Sequence, residues 1–126
     1  MQTTHALACA DGSRPVAQGD VLLVPYHGPL PTDALREDVD PHHGVVLAYG
    51  EVTGSAHALD PGTAHILAPT ATTPRLLVVD VLEAATAIVR HLKHPPIGLP
   101  PKTVRPFWRI VGQVEEVEGV GVRVGD

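Results

Sequence analysis

Apolar residues in this chain gather in short runs separated by Gly, Pro and Asp, and the runs have strand length rather than helix length. Gly19-Asp20 leads into Val21-Leu22-Leu23-Val24, and a second run, Gly44 to Tyr49, continues through Val52. Ala64 to Ala68 closes at Pro69, Arg75 to Val81 follows, and Phe107 to Val114 lies near the end. The tail Val117 to Val124 alternates apolar and polar residues, with a turn at Glu118-Gly119, and reads as a further strand. Residues 27 to 43 hold Gly28, Pro29, Pro31 and Pro41 and are expected to loop, with room for one helical turn at Thr32 to Glu37. The stretch 82 to 93 is ambiguous. Leu82, Ala85, Ile88, Val89 and Leu92 recur at helical spacing, whereas Thr86 and Val89 also suit a strand. The expected fold is a single, mainly β domain over residues 1–126. It is a small antiparallel sandwich or partly open barrel, with at most one short helix.

Composition narrows the core. Hydrophobic residues make up 44% of the 126, but Phe, Trp and Tyr supply only four, so Val, Leu, Ile and Ala must fill the interior. The net charge of −5, with no cluster of Lys or Arg, disfavours a phosphate-tracking or membrane-surface role, and no nucleic-acid partner is expected. Cys9 is the single cysteine and has no intrachain disulfide partner. No apolar run has membrane-spanning length and the first residues lack a basic leader, so the expectation is a soluble, cytoplasmic domain.

Eight histidines are the chemical signal of this chain. In an extended segment 51 to 57, Glu51, Thr53, Ser55 and His57 would share one face opposite Val52, Gly54 and Ala56. A carboxylate and an imidazole in such a row can hold a divalent metal or act as an acid–base pair. The competing reading is an amphipathic strand that shows its polar side to water. His91 and His94 are three residues apart. On a helix they would be neighbours, but Pro95 disfavours helix at His94, and within a regular strand they would face opposite ways. Spacing alone therefore makes no chelate. His42-His43 falls in the expected loop and reads as solvated, while His5, His27 and His65 stand alone. Ser55 beside His57 lacks a nucleophile elbow, and no phosphate-binding glycine loop occurs.

Three stretches together carry a resemblance: Gly19-Asp20-Val21-Leu22, Gly50-Glu51-Val52-Thr53-Gly54-Ser55-Ala56-His57, and His91-Leu92-Lys93-His94-Pro95-Pro96-Ile97-Gly98-Leu99-Pro100-Pro101. The chain resembles a group of small uncharacterised bacterial proteins with G-D-V-L, G-E-V-T-G-H-A-H and H-x-x-H-x-P-I-x-L-P motifs. The group has no established activity, so the resemblance implies positions rather than a reaction. It also implies an extended path over 86 to 94, which could bring His57, His91 and His94 together. Two departures bear on any metal site. Ser55 stands at the first histidine of H-A-H, and Lys102 stands where a turn glycine is expected.

Two functions follow as expectations. The first is a small-ligand or metal-binding β domain with Glu51, His57, His91 and His94 as candidate ligands. Zinc is the fitting ion, and an open coordination position would permit hydrolytic or lyase-like chemistry. The second is a non-catalytic structural or protein-interaction module that self-associates as a homo-oligomer. It is suggested by the sparse aromatics and the proline-rich stretch 95 to 106.

Overall fold

Alternation decides the architecture: within most strands every second side chain is buried, and the buried sets of two sheets face each other. The computed structural model describes residues 8–50 and 55–112. Ten strands form there: β1 Ala8–Cys9, β2 Val16–Gln18, β3 Val21–Pro25, β4 Val45–Tyr49, β5 Ala56–Leu59, β6 Ala64–Leu67, β7 Leu76–Val79, β8 Ala87–His91, β9 His94–Leu99 and β10 Phe107–Val111. They build two five-stranded sheets, ordered β1-β9-β8-β5-β4 and β2-β3-β10-β7-β6. Pairing is antiparallel except for β1 beside β9. The result is a small sandwich rather than a closed barrel.

Both sheets supply the core. Leu47, Leu59, Val89 and Leu99 come from the first, and Leu23, Ile66, Leu77 and Ile110 from the second. Trp108 is wholly buried among them and replaces bulk that the lean aliphatic side chains lack.

No helix forms among the described residues, and no helix there is long and apolar enough to cross a membrane. The helical turn expected at Thr32 to Glu37 does not form; the chain bends at Thr32-Asp33, and Arg36 bridges Leu67. Helical spacing over 82 to 93 is also overruled. Leu82 and Leu92 are exposed, while Ala87 and Val89 are buried at period two, as the sheet position requires. The runs at 21, 45, 64, 76 and 107 are strands as expected, whereas the tail 117 to 124 lies outside the described residues.

Two local devices shape the functional end. Gly19, in the left-handed region at φ 59°, closes the turn between β2 and β3, and Gln18 pairs with Val21. Leu92 and Lys93 alone connect β8 to β9, so His91 and His94 are direct cross-strand partners. A register shift between Val89 and His91 precedes that turn and re-aims the last residue of β8.

Candidate functional site

Three imidazoles meet between the sheets. On β5, His57 shares the inward side with Leu59, a core residue, and its ring contacts Gln18 from the opposite sheet. Its ring centroid lies 4.2 Å from that of His91 and 5.8 Å from that of His94, and the last two lie 4.7 Å apart. Sequence spacing failed on His91 and His94 because neither a helix nor one strand describes them. They flank a two-residue hairpin, where i and i+3 stand opposite each other on one face.

Gln18 sets the chemistry of His57. Its Nε2 donates to Val89 O at 2.9 Å and Pro95 O at 3.0 Å, so the remaining amide atom facing His57 is the acceptor Oε1. Prolines 95 and 96 bring no N–H to the β9 ladder, and Gln18 supplies donors at this point from the other sheet. His57 Nδ1 lies 2.9 Å from Gln18 Oε1 and must carry the proton. The lone pair is therefore on Nε2. That atom faces Asp20 Oδ1 at 3.5 Å, an acceptor opposite an acceptor whenever His57 is neutral. Neutrality is the favoured state. Burial, and then the neighbouring His91, push the His57 pKa from 6.5 down to about 4, with Asp20 opposing the shift.

The other two rings differ. His91 Nδ1 accepts the Lys93 N–H at 3.0 Å, which places the proton of the neutral ring on Nε2. His94 lies against the turn glycine; a Cβ at Gly19 would come within 2.6 Å of its Nε2. His94 therefore faces the same Gly19-Asp20 turn that brings the carboxylate to His57.

Outside the sandwich, the other side of β5 floors a cleft of about 450 Å³. Ala56 and Ala58 form its floor, Arg90 and His91 one wall, and His42 and His43 the far rim. His42-His43 lies in the expected loop, with His42 exposed, and borders this cleft. Its loop is fixed by Asp40, whose Oδ1 accepts both histidine N–H groups at 2.7 and 3.0 Å. His65, read as isolated, has Nδ1 2.8 Å from Asp80 Oδ2.

Of the four expected ligands, His57, His91 and His94 come together, and Glu51 lies outside the described residues. Among the described residues, no group of three or more His, Cys, Asp or Glu side chains is arranged to hold a metal ion as the rings stand. His57 and Ser55 are buried, at 2% and 6% exposure, and do not form the solvent-facing row of an amphipathic strand. Gln18 and Asp20 were missed by sequence reasoning. The signal was present in Gly19-Asp20-Val21-Leu22, where the aspartate was read only as part of a turn.

A sequence model described as Domain of unknown function (DUF8820) matches residues 17–111, and the chain belongs to that family. The matched span contains all three clustered histidines, Gln18 and Asp20. No curated protein and no solved structure matches the chain.

Proposed function

We propose that this DUF8820 member binds a divalent transition metal, zinc fitting best, through His57 Nε2, Asp20 Oδ1 and His94. One observation carries the reading: Gln18 locks the His57 tautomer so that a bare Nε2 confronts a carboxylate oxygen 3.5 Å away. A proton could bridge the two, but the depressed pKa of His57 removes it at neutral pH, and charge-assisted hydrogen bonds are shorter, about 2.7–2.9 Å. A zinc ion bridges them without strain. With metal–ligand distances of about 2.0–2.2 Å and tetrahedral angles, two ligand atoms stand roughly 3.3–3.6 Å apart. The glutamine behind Nδ1 is the outer partner that metal-bound imidazoles ordinarily have.

Ring spacing sorts the histidines. Two imidazoles sharing one zinc keep their centroids roughly 5 Å or more apart by the same geometry. His57 and His94, at 5.8 Å with nearly parallel rings, satisfy this spacing. His91, with its ring 4.2 Å from that of His57 and tilted 30° to it, lies too close to share the ion. Its Nε2–H suits it to donate to a fourth ligand, and it joins the metal only by releasing the Lys93 amide. Two imidazoles and one carboxylate leave a coordination position open, as catalytic sites do.

Zinc titration of EDTA-stripped, tag-free protein, read by calorimetry and elemental analysis, tests the proposal. One equivalent retained through dialysis is expected, with retention lost in His57→Asn and Asp20→Asn. Retention below about a tenth of an equivalent after zinc addition would refute it. The competing self-associating module rests on composition and on scattered exposed side chains such as Leu35 and Leu92. Light scattering over a concentration series separates the two readings.

A further inference from the structure

We propose that the cleft on the outer face of the first sheet binds a small organic acid with a flat apolar body. The cleft shares only His91 with the proposed metal site; its alanine floor lies on the side of β5 opposite His57, and it does not depend on a metal. The chemistry of its lining defines the ligand. Ala56 and Ala58 offer methyl groups where larger side chains would fill the space, and Leu92 and Pro96 extend the apolar surface. A flat hydrocarbon body fits over that floor.

Charge is available at one side of the floor. Arg90 stands opposite Ala58 in the ladder and lines the cleft. Its ion pair with Asp60 is long, at 3.9 Å, and both side chains are more than half exposed. Such a pair is worth little and yields readily to a ligand carboxylate, which a guanidinium grips through two parallel hydrogen bonds.

The opposite rim is built before any ligand arrives. Asp40 holds the N–H groups of His42 and His43 with one oxygen and accepts the Tyr49 hydroxyl at 2.6 Å with the other. Asp40 and Gly44 exchange backbone hydrogen bonds of 2.8 and 2.9 Å across the same loop. Two imidazoles are thereby presented by a fixed loop, which lowers the ordering cost of binding. Inorganic phosphate would use the polar rim but leave the alanine floor uncovered, so the lining favours a carboxylate joined to an apolar ring.

Benzoate is a suitable probe. Titrated into EDTA-treated protein carrying labelled alanine methyls, it should shift the Ala56 and Ala58 signals saturably, with a Kd on the order of millimolar for so small a ligand. Arg90→Gln should weaken binding by roughly tenfold, and Ala58→Phe, which fills the floor, should abolish it. Arg90 is exposed, so its variant keeps the test decisive even if Ala58→Phe disturbs folding. Three results would overturn the inference: no saturable shift, equal binding of benzyl alcohol or inorganic phosphate, or an Arg90→Gln variant that binds benzoate normally. Since no zinc is present, failure here leaves the metal reading intact. A failed zinc titration likewise leaves this cleft intact.

Discussion

Strands β4 and β8 each carry a register break, and each is served by a polar side chain from elsewhere in the fold, with opposite outcomes. At β4 the break lies between Val46 and Ala48, and Arg75 donates to Val46 O at 3.0 Å and Leu47 O at 2.7 Å. The same guanidinium grips both oxygens of Glu37 at 2.8 Å, so the network ends in a satisfied carboxylate. At β8 the break lies between Val89 and His91, and Gln18 donates to Val89 O and Pro95 O. Its remaining oxygen orients His57, whose other nitrogen faces Asp20. The first network is closed and can only stabilise. The second ends in a lone pair beside a carboxylate. Repairing a bulge thus also orients a buried imidazole when the repairing group has an acceptor left over.

The sharpest way to break this contrast is to remove Arg75. Arg75→Ala leaves Glu37 without its cation and two strand carbonyls without their donor, and should cost about 3 kcal/mol by denaturant unfolding. Zinc retention should be unchanged in the folded fraction. A loss below about 1 kcal/mol would show that the closed network is not a stabiliser. The equivalent change at the other break is Gln18→Leu. It should cost about 2 kcal/mol, because Val89 O, Pro95 O and His57 Nδ1 all lose a partner. Unlike Arg75→Ala, it should also lower zinc affinity by roughly 10- to 100-fold, as loss of an outer partner does. Equal zinc binding by both variants would remove the distinction between the two networks.

The strands that sequence revealed are those dominated by large aliphatic or aromatic residues, such as Val21 to Pro25, Val45 to Tyr49, Leu76 to Val79 and Phe107 to Val111. The hidden ones form the site. β5 reads Ala-His-Ala-Leu, without a β-branched residue, and β9 contains two prolines that ordinarily argue against a paired strand. The apolar spacing that suggested a helix from Leu82 to Leu92 arose from a turn followed by a bulged hairpin, whose register shift disturbs period two. Local pattern could not show that Gln18, from the other sheet, would supply the donors that make the proline strand tolerable. The convergence of His57, His91 and His94 was legible only through the resemblance, and the roles of Gln18 and Asp20 needed the tertiary fold.

Acid should separate the two networks without mutation. The His57 pKa is depressed in the fold, from 6.5 to about 4, so the unfolded chain binds more protons between those values. Stability from this group is fully present above pH 6.5 and is lost as pH falls toward 4, by on the order of 3 kcal/mol. Asp40 acts lower. Hydrogen bonds from Tyr49 and then from the His42 and His43 amides depress its pKa from 3.8 to about 2, so its contribution disappears only below the His57 window. Unfolding measured from pH 4 to 7 in EDTA should therefore show a slope that His57→Asn flattens and Arg75→Ala preserves. The same slope in His57→Asn would assign the acid sensitivity to another group.

The smallest expected effect on stability gives the finest separation of structure from function. Gly19 adopts a left-handed backbone, and an added Cβ would come within 2.6 Å of His94 Nε2. In Gly19→Ala the backbone strain should cost only about 1 kcal/mol, because the obstructing group is the far end of a side chain that can rotate away. That rotation, however, takes His94 from the turn that carries Asp20, while Gln18 still holds His57 in its tautomer. Zinc affinity should fall by roughly tenfold or more in a protein that unfolds almost as the parent does, with the benzoate cleft on the other face of β5 unaffected. If zinc binds Gly19→Ala as tightly as the parent, His94 is not a ligand, and the third position belongs to His91 after release of the Lys93 amide.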